Sequence, residues 1–98
     1  YKEEILPLWK FMTSDSALKS SKDIYDYFNS CLEEKDFIGA DMARKYLQAG
    51  STRKSIPVPS QGFFANYFLR AISDPRFLEL KESFLDMQEL KRGENEKG

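Results

Sequence analysis

Arg44, Lys45, Arg53 and Lys54 place four bases, opposed only by Asp41, in residues 37–58 of a 98-residue chain with a net charge of −1. Residues 1–36 carry five bases against eight acids, and residues 59–98 carry six against seven. Cations concentrated in this way can hold phosphate or carboxylate oxygens, and the arginine fork matches them two at a time. Ser51, Thr52 and Ser55 bring hydroxyls to the same stretch. The expected binding residues are therefore Arg44, Lys45, Thr52, Arg53 and Lys54. The expected partner is a protein or a polyanion, nucleic acid included, and the expected role is a non-catalytic binding module. The same bases also suit a plainer role, because cations in a last helical turn complement the helix dipole by about 0.3–1 kcal/mol. A dedicated nucleic-acid domain carries a clearly basic balance, whereas the pI here is ≈ 5.5.

Few other side chains offer chemistry. The chain has no histidine and one cysteine. That excludes histidine-dependent triads and dyads, histidine metal ligands, an internal disulfide and four-cysteine metal sites. No metal, cofactor or catalytic set is expected. Cys31 follows Phe28 by one turn and adjoins Leu32, so it reads as a core thiol. An enzymatic alternative rests on Asp41 with Arg44 or Lys45. General acid–base work needs carboxylates whose environments pull their pKa values apart inside a cleft, while Asp41 and Lys45 at i,i+4 also make an ordinary surface pair. Phe63, Phe64, Tyr67 and Phe68 beside Arg70 can stack on bases or dock a partner helix. Their spacing is nonetheless that of a buried helix face. A third reading is a structural subunit that forms homo-oligomers through these aromatic helices.

The elements that must position these residues are helical. Pro7 interrupts Ile5 to Phe11, which predicts an extended or single-turn arm whose Leu6, Leu8, Trp9 and Phe11 lie across the following helices. The cluster Thr13-Ser14-Asp15-Ser16 caps a helix running to about Glu34, with Ala17, Ser21, Ile24, Phe28, Cys31 and Leu32 as its apolar stripe. Lys35-Asp36 makes a tight turn, and Asp36 caps a second helix over about 37–49. Its apolar positions are Ile38, Met42 and Leu47, its small residues Gly39 and Ala40 permit close approach, and Gly50 stops it. Residues 51–60, with two prolines and three serines, form a break. Ser60 caps a third helix over 61–73. Asp74-Pro75 opens a fourth, reaching about Arg92, with Phe77, Leu80, Phe84 and Met87 on its stripe, Leu78, Leu85 and Leu90 widening it, and Gly93 as its stop. The fourteen aromatics can each bury roughly 150–250 Å², enough for a core. The predicted fold is a small all-α four-helix domain over residues 1–92: an antiparallel hairpin plus two aromatic-rich helices, with a disordered tail at 93–98.

The run Gly39-Ala40-Asp41-Met42-Ala43-Arg44-Lys45-Tyr46-Leu47-Gln48 follows Asp36-Phe37-Ile38 and precedes Gly50, Thr52 and Arg53. Upstream stand Trp9-Lys10-Phe11, Thr13, Ala17, Ser20 or Ser21, and Ile24-Tyr25. Together these residues resemble an uncharacterised family of bacterial, phage and fungal proteins (domain of unknown function 4385) over about residues 8–53. In that family the run is followed by a stretch rich in Arg, Lys and Gly. Here Thr52-Arg53-Lys54 corresponds to it, before Ser55-Ile56-Pro57-Val58-Pro59 departs. The resemblance implies the same helical hairpin and carries no activity. The residues from Tyr1 to Pro7 show no apolar leader, and no run approaches the roughly 20 apolar residues of a membrane span. With a single cysteine, the expected location is the cytoplasm.

Overall fold

The computed structural model describes the backbone of residues 2–11 and 13–97 and the side chains of residues 3–11 and 13–88. Among these residues the fold is all-α, without strands. The elements are α1 (Lys2–Ile5), a 3-10 turn (Leu6–Leu8), α2 (Ser14–Glu33), α3 (Phe37–Thr52), α4 (Val58–Ser73) and α5 (Pro75–Lys97). The arm is thus of the single-turn kind, and Pro7 sits inside the 3-10 turn.

The hairpin forms where its caps direct it. Thr13 Oγ1 accepts from the Ser16 N–H at 3.1 Å, and Ser16 Oγ accepts from the Thr13 N–H at 3.1 Å, a reciprocal box that satisfies two donors at the start of α2. Asp36 Oδ1 accepts from the Gly39 N–H at 3.1 Å and starts α3. Between them α2 closes with paired bonds, Lys35 N–H to Leu32 O at 3.0 Å and Asp36 N–H to Cys31 O at 2.8 Å. This left-handed stop usually belongs to glycine, yet Lys35 occupies it at φ 58°.

Three helix boundaries differ from expectation, each for a packing reason. Gly50 does not stop α3, which continues to Thr52. It is buried instead, and a Cβ there would stand 2.6 Å from Phe64 Cδ1 and nearer still to Cγ. Its smallness lets α4 lie against α3. Pro57 and Pro59 do not delay α4. Pro57 caps it and Pro59 lies in its first turn, where a fixed φ fits and no N–H is missed. Ser60 is therefore a buried first-turn residue rather than the cap. The break shrinks to residues 53–57. Gly93 does not end α5, which reaches Lys97, so residues 93–97 of the expected tail continue the helix and Gly98 lies outside the described residues. One glycine costs a helix about 1 kcal/mol, which strong helix formers around it can absorb. The side chain of Leu90 also lies outside the described residues.

α2, α3 and α4 pack on one another around Ile24, Phe28, Leu47 and Phe64. The inner face of α3 is built of Gly39, Ala40, Ala43, Leu47 and Gly50. Ile38, expected inside, is 51% exposed, and Met42 is half-buried. Small residues win the inner face because they allow two helices to approach α3 at once. α5 joins through Phe77, whose ring lies 5.3 Å from Phe28 and 5.6 Å from Phe37. Asp74 Oδ1 accepts from the Arg76 N–H at 2.9 Å, and Arg76 reaches Asn29 on α2 at 2.9 Å. Phe64 is the fully buried member of the aromatic set, while Phe63, Tyr67 and Phe68 are half-buried against the same core. Arg70 lies over Tyr67 at 5.4 Å.

Candidate functional site

The five residues singled out by charge and hydroxyl chemistry do not form one surface. Arg44 and Arg53 are nine positions apart, and at about 100° per residue they leave α3 on opposite sides. Arg44 is tied down. Its Nε and Nη2 donate to Asp41 Oδ1 at 3.1 and 2.5 Å, and its Nη1 donates to Gln48 at 2.7 Å. Its side chain is only 22% exposed. With Asp41 it edges an aromatic groove of about 380 Å³ that includes Phe37, Phe68 and Phe84. Lys45 approaches the other Asp41 oxygen at 3.6 Å but stays 59% exposed. The hydroxyls of Ser51 and Thr52 both donate to the Gln48 carbonyl, at 2.7 and 3.1 Å, so they close the last turn of their own helix. Arg53 and Lys54 are exposed.

What the structure does bring together is Lys45, Arg53 and the N-terminal arm. They border a groove of about 500 Å³, with Leu6 and Trp9 on the arm side and Met42, Tyr46 and Ala49 on the α3 side. The α3 contributors recur at positions 42, 45, 46 and 49, and Arg53 at the helix's C-cap continues the spacing, which makes one stripe. Among the described residues no acid lines this groove, although Asp41 stands behind Lys45. Trp9 forms its aromatic wall, with ring centroids 5.3 Å from Tyr46 and 5.4 Å from Phe11, and 5.2 Å from Phe64 in the core behind. The volume falls in the roughly 300–1,000 Å³ range of ligand-holding clefts.

Three polar residues that charge reasoning passes over position this groove. Ser20 is buried on α2; its Oγ donates to the Leu8 carbonyl and accepts from the Lys10 N–H at 3.0 Å. It therefore grips the backbone on both sides of Trp9. Tyr27 adds a second tie by donating to Glu4. At the elbow, Gln61 Nε2 donates to the Arg53 carbonyl at 2.7 Å and the Ile56 carbonyl at 3.0 Å, and Ile56 is buried. The backbone carrying Arg53 is thereby fixed from α4. A serine beside the apolar stripe of α2 and a glutamine two residues past Pro59 are sequence marks of these roles.

Ionisation follows burial. Burial pushes the Cys31 thiol up to about 11, with Asp36 and Glu34 acting in the same direction, so it is a neutral core thiol at pH 7. Burial first, then the bond to Glu4, raises Tyr27 well above an ordinary phenol. The bond from Arg76 is the main cause that holds Asp74 below the usual carboxylate value. Among the described residues, no three carboxylates or thiols gather as a metal site, and no helix is long and apolar enough to cross a membrane.

The family model for the domain of unknown function 4385 matches residues 1–56. The chain belongs to this family. The matched region takes in the arm, α2, α3 and most of the elbow, and so contains every residue that lines the groove. The 4385 family match begins earlier and ends later than the 8–53 span suggested by the motif alone. α4 and α5 lie beyond it, although Phe64 of α4 completes the core behind Trp9 and Gly50. No curated protein and no solved structure matches the chain.

Proposed function

We propose that the chain is a non-catalytic binding module that receives an anionic protein or polyanionic partner at the elbow end of α3. The observation that carries this reading is the acid-free groove with Lys45 and Arg53 at its edges and aromatic and aliphatic side chains lining it. Lys45, Arg53 and the adjoining Lys54 make direct contact. Arg44 and Thr52 support α3 itself, since their donors are engaged within it. The free, neutral Cys31 suits a reducing compartment, and we place the module in the cytoplasm.

Retention on heparin at two salt concentrations tests the reading. The protein is expected to bind at about 50 mM salt and release as salt rises, because each contact displaces condensed counterions. The double variant Arg53→Glu with Lys54→Glu should lose retention, whereas Arg44→Gln should keep it. No retention of the parent protein at low salt would end the reading.

A further inference from the structure

We infer that the groove between the arm and α3 takes an extended acidic peptide in which one bulky apolar side chain stands between two carboxylates. The inference rests on the binding-module reading and names the partner's chemistry. Lys45 and Arg53 are eight residues apart on α3, which is about 12 Å along its axis. Between them α3 presents Tyr46 and Ala49, with Trp9 of the arm alongside and Met42 just before Lys45. An extended peptide advances about 3.3 Å per residue and points alternate side chains the same way. Four steps, and so five residues, therefore span the two cations. The first and fifth side chains face them, and the third enters the groove on the same side. The pattern is acid, any residue, apolar, any residue, acid.

A nucleic acid fits this surface less well. Its phosphates form an unbroken line, which would lay charge over the apolar stretch of Tyr46 and Ala49 between the two cations. Two cations around an apolar centre ask for two separated anions and an apolar centre in return. Ala49 supplies the depth, since any larger residue there would fill the space that the third side chain enters.

Trp9 is the single tryptophan and lies in the groove wall, so its emission reports occupancy. The probes are the end-blocked peptide Glu-Ser-Leu-Ser-Glu, its same-composition scramble Glu-Glu-Ser-Ser-Leu, and a short oligothymidylate. The ordered peptide should shift Trp9 emission and bind about tenfold or more tightly than the scramble, the gain expected from seating one leucine. Ala49→Leu, with the elbow charges intact, should abolish that preference while heparin retention persists. Equal binding of both peptides, stronger binding of the oligothymidylate, or light scattering that shows the groove closed by a second copy of the chain would each overturn the inference. In those cases heparin retention still stands for the broader reading. Failure of heparin and peptides alike removes both.

Discussion

Ala49 and Gly50 are neighbours, both small, and they face opposite surroundings. Gly50 is on the inner face of α3 with the Phe64 ring directly over it, so one added carbon has nowhere to go. Ala49 is on the outer face, lining an open groove. Smallness serves packing in the first case and leaves room for a ligand in the second. A single step along the helix thus separates the part of the molecule that builds the fold from the part that is available to a partner.

The most severe way to probe the inner face is Gly50→Ala. Alanine is the better helix former by about 1 kcal/mol, yet the clash with a fully buried ring outweighs it. A net loss of about 3 kcal/mol is expected, at the upper end for overpacked cores, with a melting temperature roughly 10–20 °C lower. An unchanged melting temperature would mean that α4 does not press on α3 as described.

The outer face depends on its wall rather than on density, and Ser20→Ala removes the clamp on that wall. The Leu8 carbonyl and Lys10 N–H lose their partner, which costs about 2 kcal/mol if they stay buried. The arm should loosen, and Trp9 emission should move to the red as water reaches the indole. Loss of stability without that shift would assign Ser20 to the core alone.

The caps, the hairpin and the all-helical class were legible because they are local. Thr13, Asp36 and Asp74 start helices through side chains that act within three residues. The groove was not legible because its two sides, Leu6 and Trp9 against Met42 to Arg53, are more than thirty residues apart. The same gap explains Gly50. A glycine near a helix end reads as a stop until the ring that needs its space is known, and Phe64 comes fourteen residues later. Charge told where cations are dense but not which are occupied. Asp41 stands one turn before Arg44 and takes it, while the bonds that Arg53 makes run through its backbone, to Ala49, Ile56 and Gln61, and its side chain is exposed.

Two changes away from both faces show whether the comparison is specific to α3. Asp74→Ala removes the α5 cap and should cost about 1 kcal/mol. Because the folded-state pKa of Asp74 is depressed, its contribution is complete above the ordinary carboxylate range near 3.9 and fades as pH falls through the lower folded value. The parent and Asp74→Ala melting curves should therefore converge on acidification, with Trp9 emission the same in both at neutral pH. Lys35→Gly acts in the other direction. It removes a side chain from a left-handed position and should raise stability by about 0.5–1 kcal/mol, part of the gain being offset by glycine's entropy.

The smallest expected effect is the most informative one. Ala49→Leu adds three carbons next to the position where one carbon is expected to cost about 3 kcal/mol. If the outer face is an open groove, those carbons lie on Trp9 and Met42, and denaturant midpoints should move by no more than about 0.5 kcal/mol in either direction. Trp9 emission should shift to the blue as the leucine covers its ring. A loss comparable to that of Gly50→Ala would mean that the groove closes in solution and that both faces of α3 are interior. A neutral outcome with the spectral shift would leave the contrast between residues 49 and 50 as a direct measure of where the core ends and the binding surface begins.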